Sequence, residues 1–217
     1  MTKRSLPPSA SVTHPTDGDR QVMPAADRNG QPIEDLVART IGGNDIRNAL
    51  EIASGTGQHI LRHALRHPQI TWQPSDVDAG RLASINAYAT EAANIRPALM
   101  LDAARPGWSA TLPPQDLILL VNLTHLISEP EVQTLITEVG KALRPGGIFM
   151  LYGPFMRGGE LTSGGDARFH AELRAADPEI GYKDVFDVAD WIIAADMTLA
   201  DMVDMPANNL AFIAQRN

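Results

Sequence analysis

The chain has 217 residues, 44% of them hydrophobic, with 18 Lys and Arg against 26 Asp and Glu, a net charge of −8 and no cysteine. That length gives one well-cored α/β domain rather than two. The acidic balance, with no basic run longer than Lys3-Arg4, argues against nucleic acid or an anionic membrane as partner, and the lack of cysteine excludes disulfides and thiol nucleophiles.

Residues 1 to about 22 mix Pro, Ser, Thr and Asp with little apolar periodicity and read as an arm, mobile or draped, ahead of a domain over 23–217. No apolar core follows Lys3-Arg4, and no apolar run is long enough for a membrane span, so a cytoplasmic location is expected. A short helix is expected from Pro32, with Ile33, Leu36, Val37 and Ile41 at helical spacing and Gly42-Gly43 as the stop. Residues 47–53 form a strand, 57–67 a helix, and 70–76 a strand ending at Asp76. A helix over 79–93 carries Leu82, Ile85, Tyr88 and Ala92 on one face, and residues 97–102 form a strand ending at Asp102.

Residues 116–122 are almost wholly apolar, as in a strand covered on both faces. Ser128-x-x-Glu131 is a capping box for the next helix, whose stripe is Val132, Leu135, Ile136, Val139 and Leu143. Pro145-Gly146-Gly147 ends it, and Ile148 to Tyr152 is a strand. A polar, Gly-rich insert over 155–183 follows, then a helix over 184–195 and strands over 198–205 and 209–215. This alternation predicts a Rossmann-like, doubly wound, mostly parallel sheet of seven strands. The turn Pro206-Ala207-Asn208 is too short for a parallel crossover, so the last two strands pair antiparallel.

The most informative stretch is Ala49-Leu50-Glu51-Ile52-Ala53-Ser54-Gly55-Thr56-Gly57, a strand running through a small-residue turn into a helix. Such a turn lets the backbone approach a ligand while helix N–H groups point at it. The third glycine of a dinucleotide G-x-G-x-x-G would fall at Ile60, so that fingerprint fits poorly. The turn resembles the acid-x-x-x-Gly-x-Gly motif of class I S-adenosylmethionine (SAM) methyltransferases. Ligands of open α/β sheets sit beyond the C-terminal strand ends. There, Asp76 is placed to accept from ribose hydroxyls and Asp102 from an adenine amino group. Ser54 to Gly57 approach the methionine part, and Asn122 and Leu123 line the floor. Acids also end strands simply because strand ends are wet.

His59, His63 and His67 share one helical stripe. Two such histidines can hold zinc, but no fourth ligand is evident and no metal is expected. His59 lies at the helix start beside the glycine turn, where the helix N-terminus disfavours imidazolium. His125 is a candidate general base, or a loop histidine that closes over the site. Tyr152 is a candidate polar handle on a substrate, or a packed tyrosine. The insert's glycine pairs suit a substrate cover or a plain surface loop. Asn208-Asn209 suits a tight turn or offers amides to the pocket.

Taken together, Pro24-Ala25-Ala26-Asp27-Arg28-Asn29, Leu50 to His59, Trp72 to Asp78, Asn122 with His125, Tyr152-Gly153-Pro154-Phe155 and Met205 to Asn209 resemble an uncharacterised class I methyltransferase-like family of unknown function. The resemblance covers residues 22–217. It implies SAM binding by Glu51, Ser54, Gly55, Thr56 and Gly57 with His59, by Asp76 and Asp102 with their neighbours Val77 and Ala103, and by Arg28 and Asn29 folded back from upstream. Some members carry Ser-Asn and Phe-Asp in the insert where this chain has Ser163-Gly164 and Phe169-His170, so a catalytic role for the insert does not carry over. The expected function is methyl transfer from SAM to a small molecule, with S-adenosylhomocysteine (SAH) as product. The alternatives are a non-catalytic SAM- or SAH-binding module and, against Ile60, a nicotinamide oxidoreductase. Oligomeric state stays open, since no helix shows an interface stripe.

Overall fold

A computed structural model describes residues 6–16 and 18–217; Lys3 and Arg4 lie outside the described residues. A seven-stranded sheet organises the molecule. Its strands are β3 (Asn48–Ile52), β4 (Thr71–Asp76), β5 (Leu99–Met100), β6 (Gln115–Val121), β7 (Leu143–Pro154), β8 (Met197–Asp204) and β9 (Asn209–Arg216), in spatial order β5-β4-β3-β6-β7-β9-β8. The pairings among β5, β4, β3, β6 and β7 are parallel, and β9 pairs antiparallel with both β7 and β8. This is the expected mostly parallel sheet with an antiparallel C-terminal hairpin. Strand order reverses between β3 and β6, which opens a crevice beyond their C-terminal ends.

Every residue of β6 except Val121 is buried, because the sheet is covered on both faces. One apolar cluster gathers Leu50, Ile118, Leu120, Phe149 and Phe212 against α4 (Glu129–Ala142) and α6 (Val185–Ala194). The other gathers Ala49, Leu117, Leu119 and Met150 against α1 (Pro24–Ile41), α2 (Gln58–Arg66) and α3 (Ala79–Ala89). The Ser128–Glu131 capping box forms as the sequence predicts. Gly140 of α4 touches the Ala195 carbonyl at the end of α6 so closely that no side chain fits between them.

Four elements differ most from expectation; one is the strand expected over 97–102, which shortens to β5 (Leu99–Met100) and stops short of Asp102. Helix α1 begins at Pro24, not Pro32, and runs straight through Pro32. Its buried stripe extends upstream through Ala26 and Gly30, residues too small to register as a hydrophobic pattern. Gly30 lies against the Arg62 side chain of α2, where a Cβ would stand 3.1 Å from Nε. The insert holds a 13-residue helix, α5 (Gly164–Ala176). Strand β7 starts at Leu143 and carries Pro145-Gly146-Gly147 within it, with the pairing register to β6 shifting between Gln115 and Leu117.

Residues 6–16 and 18–22 lie across the domain. His14–Pro15 (β1) and Gln21–Val22 (β2) form a small antiparallel pair. Arg20 ion-pairs with Glu91 at 2.5 Å and sits over the Tyr88 ring, and the Gln21 N–H donates to Ser84 Oγ at 2.9 Å. Further upstream, Ser9 donates to Glu172 of α5 at 2.6 Å, and Leu6 and Ala10 join a third apolar cluster around Leu173, Ile180 and Tyr182.

The histidine stripe of α2 points inward. His63 is fully buried, stacks on Trp72 with ring centroids 5.3 Å apart and has no partner for either ring nitrogen. Burial holds its pKa well below the usual histidine value, and neighbouring His59, His67, Arg62 and Arg66 push the same way. A folded-state pKa below the unfolded one means that the unfolded chain takes up a proton first as pH falls below about 6.5, so stability is lost on acidification. His63→Phe keeps a flat ring on Trp72 and removes both unpaired nitrogens. In urea unfolding at pH 7.5 and pH 5, this variant should lose less stability on acidification than the parent by about 1.4 kcal/mol per pH unit. Equal losses would mean that His63 does not carry the acid limb.

Candidate functional site

A cleft of about 710 Å³ opens beyond the C-terminal ends of β3 and β6. The turn after β3 makes its floor. Ala53 (φ 53°) and Gly55 (φ 60°) take left-handed conformations, and Gly57 (φ 94°) caps α2. A Cβ on Gly57 would lie 2.9 Å from the Cα of Ile85, whereas one on Gly55 would meet nothing within 4 Å and project into open space. The two glycines therefore serve different ends. Gly57 lets α3 pack against the turn, and Gly55 leaves room in the cleft.

Strand β4 is tied to this turn. The Ser54 N–H donates to the Ser75 carbonyl at 2.8 Å, and Ser75 Oγ donates to the Glu51 carbonyl at 2.8 Å. Asp76 Oδ2 accepts from the Gly55 N–H at 3.0 Å, while its Oδ1 accepts from the N–H groups of Val77 at 2.8 Å and Asp78 at 3.1 Å. Burial raises the Asp76 pKa against those backbone donors. A carboxylate has about four acceptor positions, so three amides leave room for one more donor.

Glu51 is the exposed end of nothing; it is 1% accessible, and its Oε2 has no hydrogen-bond partner. Burial lifts its pKa to about 8; the nearby Ser54 hydroxyl opposes this rise and the Asp76 charge adds to it. Helix α1 contributes a second wall. Gln58 Oε1 accepts from the Met23 N–H at 2.7 Å and from Thr56 Oγ1 at 2.7 Å, and its Nε2 donates to Asp27 at 2.6 Å. This clamp sets the first turn of α1 beside the glycine turn. As a result, Arg28 and Asn29 line the cleft although more than 20 residues separate them from Glu51. The Arg28 side chain is exposed and makes no ion pair or hydrogen bond to the described residues, and Asn29 Oδ1 is buried without a partner.

Of the other residues singled out from sequence, Ser54, Thr56, His59, Val77, Ala103, Asn122, Leu123, His125 and Tyr152 also line the cleft. Gly57 and Asp102 do not. Asp102 instead accepts from the Ala104 N–H at 3.2 Å and pairs with Arg105 at 3.4 Å, while Leu101 and Ala103 on either side face the cleft. Asn122 takes a left-handed turn (φ 57°) and its N–H donates to the Tyr152 carbonyl at 2.9 Å. His59 is held neutral by burial and by Arg62, with its pKa down at about 4. His125 is 5% accessible; burial and the Lys183 charge lower its pKa to about 3. Burial raises the Tyr152 phenol, with the Asn29 amide working against it. Among the described residues no group of three or more His, Asp or Glu is arranged to hold a metal, and no helix is long and apolar enough to cross a membrane.

The far side of the cleft holds residues to which sequence reading gave no role. Asp166 and Phe169 of α5 and Tyr182 line it, with Leu6, Ser9 and Ala10 beside them. Asp166 accepts from the Tyr182 hydroxyl at 3.1 Å, Ser163 Oγ at 2.6 Å and Asn208 Nδ2 at 3.0 Å, so α5 is fastened to the β8–β9 turn. The available signal was Ser163-x-x-Asp166, an N-terminal helix signature hidden by Gly164-Gly165.

A glycine turn after the first parallel strand, an acid ending the next strand, and a terminal antiparallel hairpin together define a class I methyltransferase-like fold. Solved structures agree. A structure of an O-methyltransferase family protein from Burkholderia thailandensis is 19% identical with a TM-score of 0.74, over 89% of this chain and 57% of that one. Human N-acetylserotonin methyltransferase in complex with SAM is 12% identical with a TM-score of 0.74, over 89% and 53%. A putative O-methyltransferase from Nostoc punctiforme is 16% identical with a TM-score of 0.76, over 88% and 58%. The chain thus spans little more than half the length of these proteins, and what it shares with them is the fold. Residues 20–216 match the family described as "Protein of unknown function (DUF938)", and the chain belongs to that family.

The raised pKa of Glu51 has a consequence for stability. Between pH 4.5 and about 8 the folded protein holds a proton that the unfolded chain has released, so stability falls as pH rises through that window. Glu51→Gln should therefore stabilise the ligand-free protein at pH 8.5 by on the order of 2–4 kcal/mol and leave it unchanged at pH 4. Thermal unfolding of both proteins at the two pH values checks this; an equal effect at both would trace to packing rather than charge.

Proposed function

We propose that the protein is a SAM-dependent methyltransferase acting on a small-molecule acceptor. One observation carries the reading: a buried carboxyl, Glu51, and an exposed guanidinium, Arg28, line one cleft, and neither Glu51 Oε2 nor the guanidinium has a partner among the described residues. These are complementary to the ammonium and carboxylate of an amino-acid group, which SAM has and a nicotinamide dinucleotide lacks. Asp76 keeps an acceptor position for a ribose hydroxyl, and Leu101, Ala103 and Val77 offer an apolar slot for a base. The O-methyltransferase labels of the Burkholderia and Nostoc proteins and the SAM bound to the human enzyme point the same way.

Bound SAM supplies a methyl group on a positive sulfonium, and its transfer is an in-line displacement in which positioning provides much of the catalysis. The protein's part is then to orient the two reactants. Glu51 and Arg28 fix one end of the cofactor and Asp76 the middle, while α5 and residues 6–10 cover the acceptor side. His125, held neutral down to pH of about 3, is a poor proton acceptor but a good hydrogen-bond acceptor.

Calorimetric titration with SAM, SAH and NADH should show micromolar binding of the first two and none of the third. Arg28→Ala should weaken SAH at least tenfold, the loss expected for an uncompensated carboxylate. Because Glu51 is protonated in the free protein up to about pH 8, taking up an ammonium should release a proton. SAH affinity should rise with pH by up to tenfold per unit between pH 6 and 7.5, and the heat should depend on the buffer's ionisation enthalpy. A folded protein that binds neither SAM nor SAH would overturn the reading.

A further inference from the structure

The acceptor end of the cleft is chemically distinct from the cofactor end. Three rings form its wall. His125, Phe169 and Tyr182 stand edge to face, with centroids 5.7 Å apart for His125–Phe169, 6.1 Å for His125–Tyr182 and 6.2 Å for Phe169–Tyr182, at interplanar angles of 63°, 69° and 71°. Leu126, Leu6 and Ala10 extend the wall with apolar surface.

The charges near this wall are already engaged. Asp166 accepts from Tyr182, Ser163 and Asn208. The buried Lys183 ammonium donates to the carbonyls of Ile127 at 2.7 Å and Gly181 at 2.9 Å. An anionic acceptor would face the Asp166 carboxylate and a cationic one the Lys183 ammonium, and either would lose its hydration here. By contrast, the polar groups left without partners are neutral. His125 Nδ1 and the neighbouring Thr124 Oγ1 are both buried and unpaired, and no hydrogen bond engages either His125 ring nitrogen among the described residues.

We propose that the acceptor is an uncharged aromatic molecule bearing a hydroxyl, its ring against the Phe169–Tyr182 wall and its hydroxyl hydrogen-bonded to His125. This rests on the methyltransferase reading for its chemistry but not for its binding. In the transfer, the acceptor oxygen forms the new bond to carbon as the bond from carbon to the sulfonium sulfur breaks. The electron pair of that bond stays on sulfur, giving neutral SAH. The hydroxyl proton leaves to water, since His125 is too weak a base to keep it. His125 thus orients a lone pair of the acceptor oxygen rather than storing its proton.

Four small probes separate the features: p-cresol, toluene, p-toluate and tyramine, which differ in hydroxyl and charge around a common ring. Ligand-observed saturation-transfer NMR on the full chain, with and without SAH, should show saturable binding of p-cresol, weaker binding of toluene and none of p-toluate or tyramine. Phe169→Ala should weaken p-cresol and toluene alike, by tenfold or more. His125→Ala should erase the preference for p-cresol over toluene while leaving SAH affinity unchanged. Preferential binding of p-toluate or tyramine, no saturable binding of any probe, or an undiminished p-cresol preference in His125→Ala would each overturn the proposal. Loss of SAH binding by the parent protein, with the p-cresol pattern intact, would instead refute the cofactor reading and leave the aromatic subsite standing.

Discussion

A carboxyl group buried at the end of a central strand, with one oxygen that nothing among the described residues satisfies, is the constraint around which the site is arranged. Glu51 lies at the third of four consecutive buried positions of β3. Its neighbours Leu50 and Ile52 are locked into the apolar core, so the strand cannot slide to bring the carboxyl out. A one-residue slip would turn every side chain to the opposite face. Burial then raises the pKa to about 8, and the group waits as a neutral acid at ordinary pH. A structural role would ask for a partner on each oxygen, and the described residues provide none for Oε2. That mismatch between placement and satisfaction is the kind of local cost that persists at functional sites.

The turn that follows translates this placement into a cleft. Close contact between Gly57 and Ile85 pulls α3 against the turn. The Gly55 N–H then meets Asp76, which joins the ends of β3 and β4 through one carboxylate. On the other side, Gln58 joins the turn to α1 through Met23 and Asp27. The cleft is therefore a consequence of three contacts on the turn, two from helices and one from β4, each made by a polar side chain or a missing one. None adds much apolar burial, so the two cores on either side of the sheet hold the fold while these contacts set the distances inside the site.

Much of this could be read from sequence because its signals are local. The near-continuous apolar run of β6, the Ser128–Glu131 box and the short turn before β9 each encode an element within a few residues. Positions at strand ends follow directly, which is why Glu51, Asp76, Asn122 and Tyr152 were legible. What escaped depends on small residues and on distant contacts. Helix α1 buries Ala26 and Gly30, which carry almost no hydrophobic signal, and Pro32 looked like a beginning because proline favours the first turn. Helix α5 buries Leu173 alone among its residues, and its Gly164-Gly165 start resembles a loop. Asp102 stands where a strand end should present a ligand, yet the chain turns there, and the Ala104 N–H and Arg105 hold its side chain away.

The two halves of the cleft are encoded differently, and that bears on how their chemistry divides. The half proposed for the cofactor is assembled from the ends of β3, β4 and β6, whose spacing is fixed by parallel pairing and two packed cores. The half proposed for the acceptor is assembled from α5, the 182–183 segment and residues 6–10, and residues 6–19 precede the stretch that matches the family. Its pieces meet through side chains: Ser9 with Glu172, and Asp166 with Asn208. These exposed bonds contribute about 1 kcal/mol each, and the apolar cluster around Leu173, Ile180 and Tyr182 that joins the same pieces is separate from the two cores on the sheet. Such a site suits the proposed reaction, since it would hold one ligand in rigid register and leave recognition of the other to side chains gathered from separate elements, with positioning as its main contribution.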